Sequence, residues 1–231
     1  MRLLYFVLIG LFCTSCAAIE PPKRWTEDNI FYSSKSPSLQ IDVPDEFKYI
    51  GEFNGDYKVG TTFDPSIKTQ TKRVLYNYVV IGENKHLLKL YQINIETLPI
   101  DKYWTPWSVK DSMLTHGMLK QGDKNYPYQI DNRSNVGNLT SQFLLDKGII
   151  TSPCVIALSA TRRYGSNNNV RMHINYMEDV SRYSEYDVES CLDWNKFTSF
   201  NEKQKNFIKS FEESAKKAIQ LSPYVPPTKA K

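Results

Sequence analysis

The chain has 231 residues, 41% hydrophobic and 13% aromatic, and a formal net charge of +4 from 29 basic and 25 acidic residues. This composition is globular and holds no long low-complexity tract, which excludes a disordered chain and bounds the protein at one medium domain or one domain with tails. So balanced a charge carries no electrostatic footprint for nucleic acid.

At the start of the chain Arg2 precedes an apolar run from Leu3 to Phe12, the layout of an export signal. The run is too short for a transmembrane helix, which needs about 20 apolar residues. Small Thr14 and Ser15 then stand directly before Cys16. The stretch Leu11 to Ala17 resembles the lipobox of bacterial lipoproteins, with Cys13 where that family usually has an aliphatic residue. The resemblance implies a signal peptide over residues 1–15, removal of the signal and lipidation (palmitate among the acyl chains) of Cys16. Ala17 is not the aspartate of inner-membrane retention, so the resemblance also implies the periplasmic side of the outer membrane, or failing that the cell membrane or periplasm. The alternative is a plain signal peptide cut near Ala17 or Ala18. Acyl chains on Cys16 would satisfy the two-signal requirement for stable anchoring. The expected partners are the lipid bilayer, reached through acylated Cys16, and another envelope protein or peptidoglycan. Nucleic acid is not expected.

Cys13 leaves with the signal and Cys16 carries lipid, so Cys154 and Cys191 remain of the four cysteines. In an oxidising compartment such a pair closes, and a loop of this length stabilises by roughly 4 kcal/mol in the chain-entropy model. Two cysteines without a histidine at ligand spacing make a poor metal site.

Residues 16–37 have linker composition, with Pro21-Pro22 and several polar residues. From Leu39 to Ile50, alternation broken at Pro44-Asp45 predicts a short opening hairpin. Residues 51–66, with three glycines, read as loop. A long hairpin follows, Lys72 to Ile81 and His86 to Thr97 about the turn Gly82 to Lys85. Val109, Met113, Leu114 and Met118 lie at near-helical spacing, so a helix capped by Ser108 and ending near Gly117 is predicted. Tyr126 to Ile130 reads as a strand, Asn132 to Asn135 as a loop, and Leu139 to Leu145 fits helix or strand. A second hairpin joins Cys154 to Arg163 with Val170 to Glu178, and places Arg171, His173 and Asn175 on a face that is solvated or lines a shallow site. An amphipathic helix from Asn201 to Leu221 closes the domain, and prolines at 223, 226 and 227 release a basic tail over residues 222–231.

These elements predict an α+β fold in one domain over residues 38–221: an antiparallel, hairpin-built sheet with the C-terminal amphipathic helix and one further helix packed on it. Their order, with the run Ile41 to Phe47, resembles the PsbP/Mog1-like domains of some bacterial lipoproteins.

The three histidines, His86, His116 and His173, form no metal-binding pair, and no Gly-x-Ser-x-Gly elbow is present. No catalytic residue, metal ligand or cofactor is expected. Tyr103, Trp104 and Trp107, with Tyr126 and Tyr128, would make an aromatic platform, to which Arg162, Arg163, Arg171 and His173 would add positive groups. The simpler reading buries the rings in the core and turns the charges to water. The function expected is a non-enzymatic, membrane-anchored envelope module for interaction or assembly, with glycan or peptidoglycan binding and periplasmic hydrolysis as alternatives.

Overall fold

A computed structural model describes residues 23–60, 68–106, 113–181, 183, 191–196 and 198–226. Residues 1–15, read from the sequence as a signal, together with Cys16 and Trp107, lie outside the described residues. Among the described residues twelve strands form two antiparallel sheets, and two α-helices accompany them. The smaller sheet has the order β1 (Arg24–Glu27), β2 (Ile30–Ser33), β3 (Leu39–Asp42), β12 (Gln220–Ser222). The larger runs β4 (Lys48–Asn54), β6 (Lys68–Ile81), β7 (Leu87–Thr97), β11 (Val170–Asp179), β10 (Val155–Tyr164), β9 (Lys124–Arg133), β8 (Thr115–Gln121), with β5 (Tyr57–Gly60) also paired to β6. The helices are α1 (Asn138–Asp146) and α2 (Glu202–Ala218).

The coarse expectation, an α+β fold dominated by antiparallel sheet with a C-terminal helix, holds. Both long hairpins form where alternation and turn residues place them. Residues 24–33, read as linker, instead form a hairpin, because Asp28 and Asn29 take the positive φ of a two-residue primed turn and Phe31 is fully buried. The opening hairpin does not form. β3 pairs with β2 and β12, whereas β4 crosses to the larger sheet and pairs with β6. Part of the loop read over 51–66 is strand, in β4 and β5. Of the helix placed at 108–117, residues 108–112 lie outside the described residues and Thr115 to Gly117 belong to β8, held to β9 by a turn at Gly122-Asp123. The ambiguous segment at 139–145 is helix α1. The C-terminal helix stops at Ala218, and Gln220–Ser222 forms a strand where helix end and tail were expected.

Strand pleating gives the larger sheet two chemically different faces. One carries Tyr76, Tyr78, Tyr91, Ile93, Ile174, Tyr176, Ile156 and Leu158 in a single buried cluster with Phe31, Ile41 and Phe47 from the first fifty residues and Ile208, Phe211 and Ala215 of α2. The Phe31 and Tyr76 rings lie 4.7 Å apart, and Tyr176 meets Phe211 at 5.8 Å. An Asn201–Gln204 capping box starts α2. The Cys154–Cys191 disulfide, with both residues buried, ties the start of β10 to the segment before α2 as expected. The opposite face is apolar only at one end, where Leu144 of α1 is buried with Leu90, Ala157 and Met177. Beyond that end it becomes polar.

Candidate functional site

The polar half of this face is built from rungs of residues in register across the central strands. Arg73, Glu96 and Arg171 form one rung over β6, β7 and β11. The next holds Leu75, Asn94, His173 and Thr161, and the one after it Asn77, Gln92, Asn175 and Ser159. Directly opposed residues on antiparallel strands stand close enough to pair, so opposite charges in one rung attract.

Glu96 is the centre, only 2% exposed. Its Oε1 accepts from Arg73 Nε at 3.0 Å and Nη2 at 2.8 Å, from Tyr57 Oη at 2.9 Å and from Asn94 Nδ2 at 3.4 Å. Its Oε2 accepts from Arg171 Nε at 2.8 Å and Nη2 at 2.5 Å and meets His173 Nε2 at 3.3 Å. Burial alone would raise its pKa. The hydrogen bond from His173, with the hydrogen bonds and positive charge of Arg171, outweighs burial and holds the carboxyl well below its ordinary range. His173 moves the other way. Burial is the larger cause, Arg171 and Arg73 add repulsion, and together they outweigh the bond to Glu96, so its pKa falls below 6.5 and the ring is neutral at pH 7. Neutral His173 donates from Nε2 to Glu96, and Nδ1 accepts from Thr161 Oγ1 at 2.8 Å.

Two cavities flank this cluster. The larger, about 590 Å³, is bounded by Tyr57, Val59, Leu98, Tyr103, Trp104 and Arg171. The Arg171 guanidinium lies 3.6 Å from the centre of the Trp104 ring, and Arg73 lies 3.9 Å from the centre of Tyr57. Trp104 is 7% exposed and its Nε1, buried, has no hydrogen-bond partner among the described residues, whereas Tyr103 beside it is 62% exposed. The smaller cavity, about 310 Å³, reaches Arg73 from the side of α1. No family model, curated protein or solved structure matches the chain.

The structure therefore brings Tyr103, Trp104 and Arg171 together in one cleft and sets His173 behind it, against Glu96. Trp107 lies outside the described residues. Tyr126 and Tyr128 do not join the platform: they are buried in the cluster on the opposite face. The arginines divide in the same way. Arg163 donates to the Trp104 carbonyl at 3.1 Å, while Arg162 lies over the Tyr126 ring on the other face. The face carrying Arg171, His173 and Asn175 is not open to water as a strand surface. Asn175 is buried with Gln92 and Ser159, and of Arg171, His173 and Asn175 it is Arg171 that lines the cleft. Sequence reasoning missed Glu96, Arg73 and Tyr57. Their signal was present in Gln92, Asn94 and Glu96, three polar residues at two-residue spacing inside an apolar strand.

Proposed function

We propose that this protein is a lipid-anchored component of a bacterial envelope, held to the bilayer by Cys16, and that it works as a non-enzymatic interaction module through the cleft beside Trp104. The observation that carries the reading is the Glu96 cluster. Its contacts hold Arg171 over the Trp104 ring, beside exposed Tyr103, in the wall of a cleft large enough for a ligand. Rigid cations and aromatics so supported contribute affinity at little ordering cost. The partner is another envelope protein. In intact cells, chemical crosslinking is expected to capture it with the native chain and to lose it with Tyr103→Ala. Capture unchanged by that substitution would remove the cleft from the proposal.

Glycan binding is a second reading, favoured by the combination of Tyr57, Tyr103 and Trp104 rings with polar groups in one cleft. It requires co-sedimentation with purified peptidoglycan that Tyr103→Ala abolishes. Hydrolysis draws on one contact, the Thr161–His173–Glu96 chain. Against it, both Glu96 oxygens are held by guanidiniums, which weakens their support of an imidazolium, and Thr161 is 3% exposed and lines neither cavity.

A further inference from the structure

The smaller sheet is buried on one side only. Phe31, Leu39 and Ile41 turn inward onto the larger sheet, and pleating sends Trp25, Glu27, Ile30, Tyr32, Gln40 and Asp42 outward, where each is partly or fully exposed. Register divides this outer side into two ends. At one, Trp25 and Tyr32 are directly opposed, their rings stack at 5.1 Å, and Tyr224 meets the Trp25 ring edge-on at 6.0 Å. Exposed Lys23 and Lys35 lie just past this pair, where Lys23 bonds Ser34. At the other end Glu27 and Asp42 flank Ile30 in one rung, next to Asp28. Half-exposed aromatic rings beside lysines suit the headgroup layer of a bilayer, where one part of the ring is apolar and another wet. Three carboxylates together are repelled by anionic lipid.

The length of chain before β1 says what the aromatic end meets. Residues 17–22 separate Cys16 from Lys23, and an extended chain of that length reaches at most about 25 Å. A domain of this size is roughly 40 Å across, so a chain held by Cys16 cannot turn its Trp25 end to the side far from the bilayer. β12 runs toward the same end, where exposed Val225 follows Tyr224, and Lys229 and Lys231 come next in sequence.

We propose that the Trp25 end of the smaller sheet rests in the headgroup layer of an anionic bilayer, with Trp25 and Tyr32 at the interface, Lys23 and Lys35 near lipid phosphates and the acidic end in water. The inference rests on the Cys16 anchor of the proposed function and gives its cleft a direction. The smaller sheet packs on one face of the larger and Arg171 stands on the other, so the larger sheet lies between the membrane and the cleft.

Partition of the mature chain from Cys16, which keeps every described residue, tests this. With Cys154 and Cys191 paired, Cys16 is its one free thiol, and a single acyl chain is coupled there chemically. One such chain alone binds bilayers only marginally, so a second contact shows in the affinity. Co-sedimentation with vesicles of phosphatidylethanolamine and phosphatidylglycerol is expected to weaken at least about tenfold when Trp25→Ser and Tyr32→Ser are combined. Those rings also support the β1–β2 hairpin, so Lys23→Gln combined with Lys35→Gln, both at exposed positions, is measured beside them. Its melting temperature is expected to be unchanged, and its vesicle affinity to fall at least about tenfold. Partition equal to the parent's in either variant would overturn the proposal, and is the result if this end instead binds a protein or a second copy of the chain. Chemical coupling makes the outcome independent of lipidation in cells, which fractionation of Cys16→Ala judges separately.

Discussion

Replacing Glu96 with glutamine removes the charge that two guanidiniums share and changes the shape of the side chain least. Each Arg–Glu contact at about 4 Å or less is worth roughly 4 kcal/mol before solvent relaxation at an effective dielectric near 20. The arginine side chains are 22% and 25% exposed, so water recovers part of this loss, and the glutamine oxygen still accepts from one side. Its amide nitrogen then faces donors on the other side. Breaking a buried ion pair by removing one partner costs about 3–5 kcal/mol, and these features place Glu96→Gln near the lower end, at about 3 kcal/mol. For a chain of this size the melting temperature falls by about 6–12 °C. Thermal unfolding followed by circular dichroism at pH 7 measures it.

The pH dependence supplies a sign. A carboxyl whose folded pKa lies below its ordinary value of 4.5 contributes stability that is present above that value and lost as pH falls toward the folded value. Glutamine cannot titrate, so the gap between wild type and Glu96→Gln closes on acidification below about pH 4.5. A drop of less than about 2 °C at pH 7, or a gap that does not narrow in acid, would refute the view that this cluster is a tightly held structural centre.

Other outcomes follow from single contacts. Reduction of Cys154–Cys191, which closes a loop of 37 residues' separation, is expected to cost about 4 kcal/mol, seen as a melting shift between oxidised and reduced protein. Asn201→Ala removes the cap of α2 and is expected to cost about 1 kcal/mol in denaturant melts. Neutral buried His173 binds its proton more readily when unfolded, so its contribution is complete above pH 6.5 and falls as pH drops below that value. His173→Asn is expected to flatten the stability profile as pH falls below 6.5. Cys16→Ala is expected to move the protein from the membrane to the soluble fraction of cells.

Much of the fold was legible because local signals agreed. The β6–β7 and β10–β11 hairpins combine alternation with turns at Gly82 to Lys85 and Tyr164 to Asn169, and α2 combines a cap with a long apolar stripe. The errors arose where a local signal was real but was outweighed. Pro21-Pro22 coloured the reading of residues 24–33, although Asp28-Asn29 is a hairpin turn between strand-forming residues. Met113, Leu114 and Met118 suggested a helix, but Leu119 points inward and Met118 outward, as strand pleating requires.

The candidate site was harder to read because it is assembled from distant pairings. Tyr103, Trp104, Arg171 and His173 stood out by residue type, and three of these four line the cleft. Glu96 did not, since its importance depends on β7 lying between β6 and β11. That order brings residues 73, 96 and 171 into one rung, and no local pattern specifies it. The Arg171 and Glu96 charges became interpretable only as neighbours.

The most direct test of a tethered module with its binding surface at the cleft is site-specific photocrosslinking in intact cells. A photoreactive residue at position 103, at the mouth of the cleft, is compared with one at position 118, which is similarly exposed but lies on the edge strand β8. A discrete adduct at 103 that is absent at 118 and lost with Cys16→Ala is the expected result. Equal labelling at both positions, or no adduct at 103 in membrane-bound protein, would contradict the account.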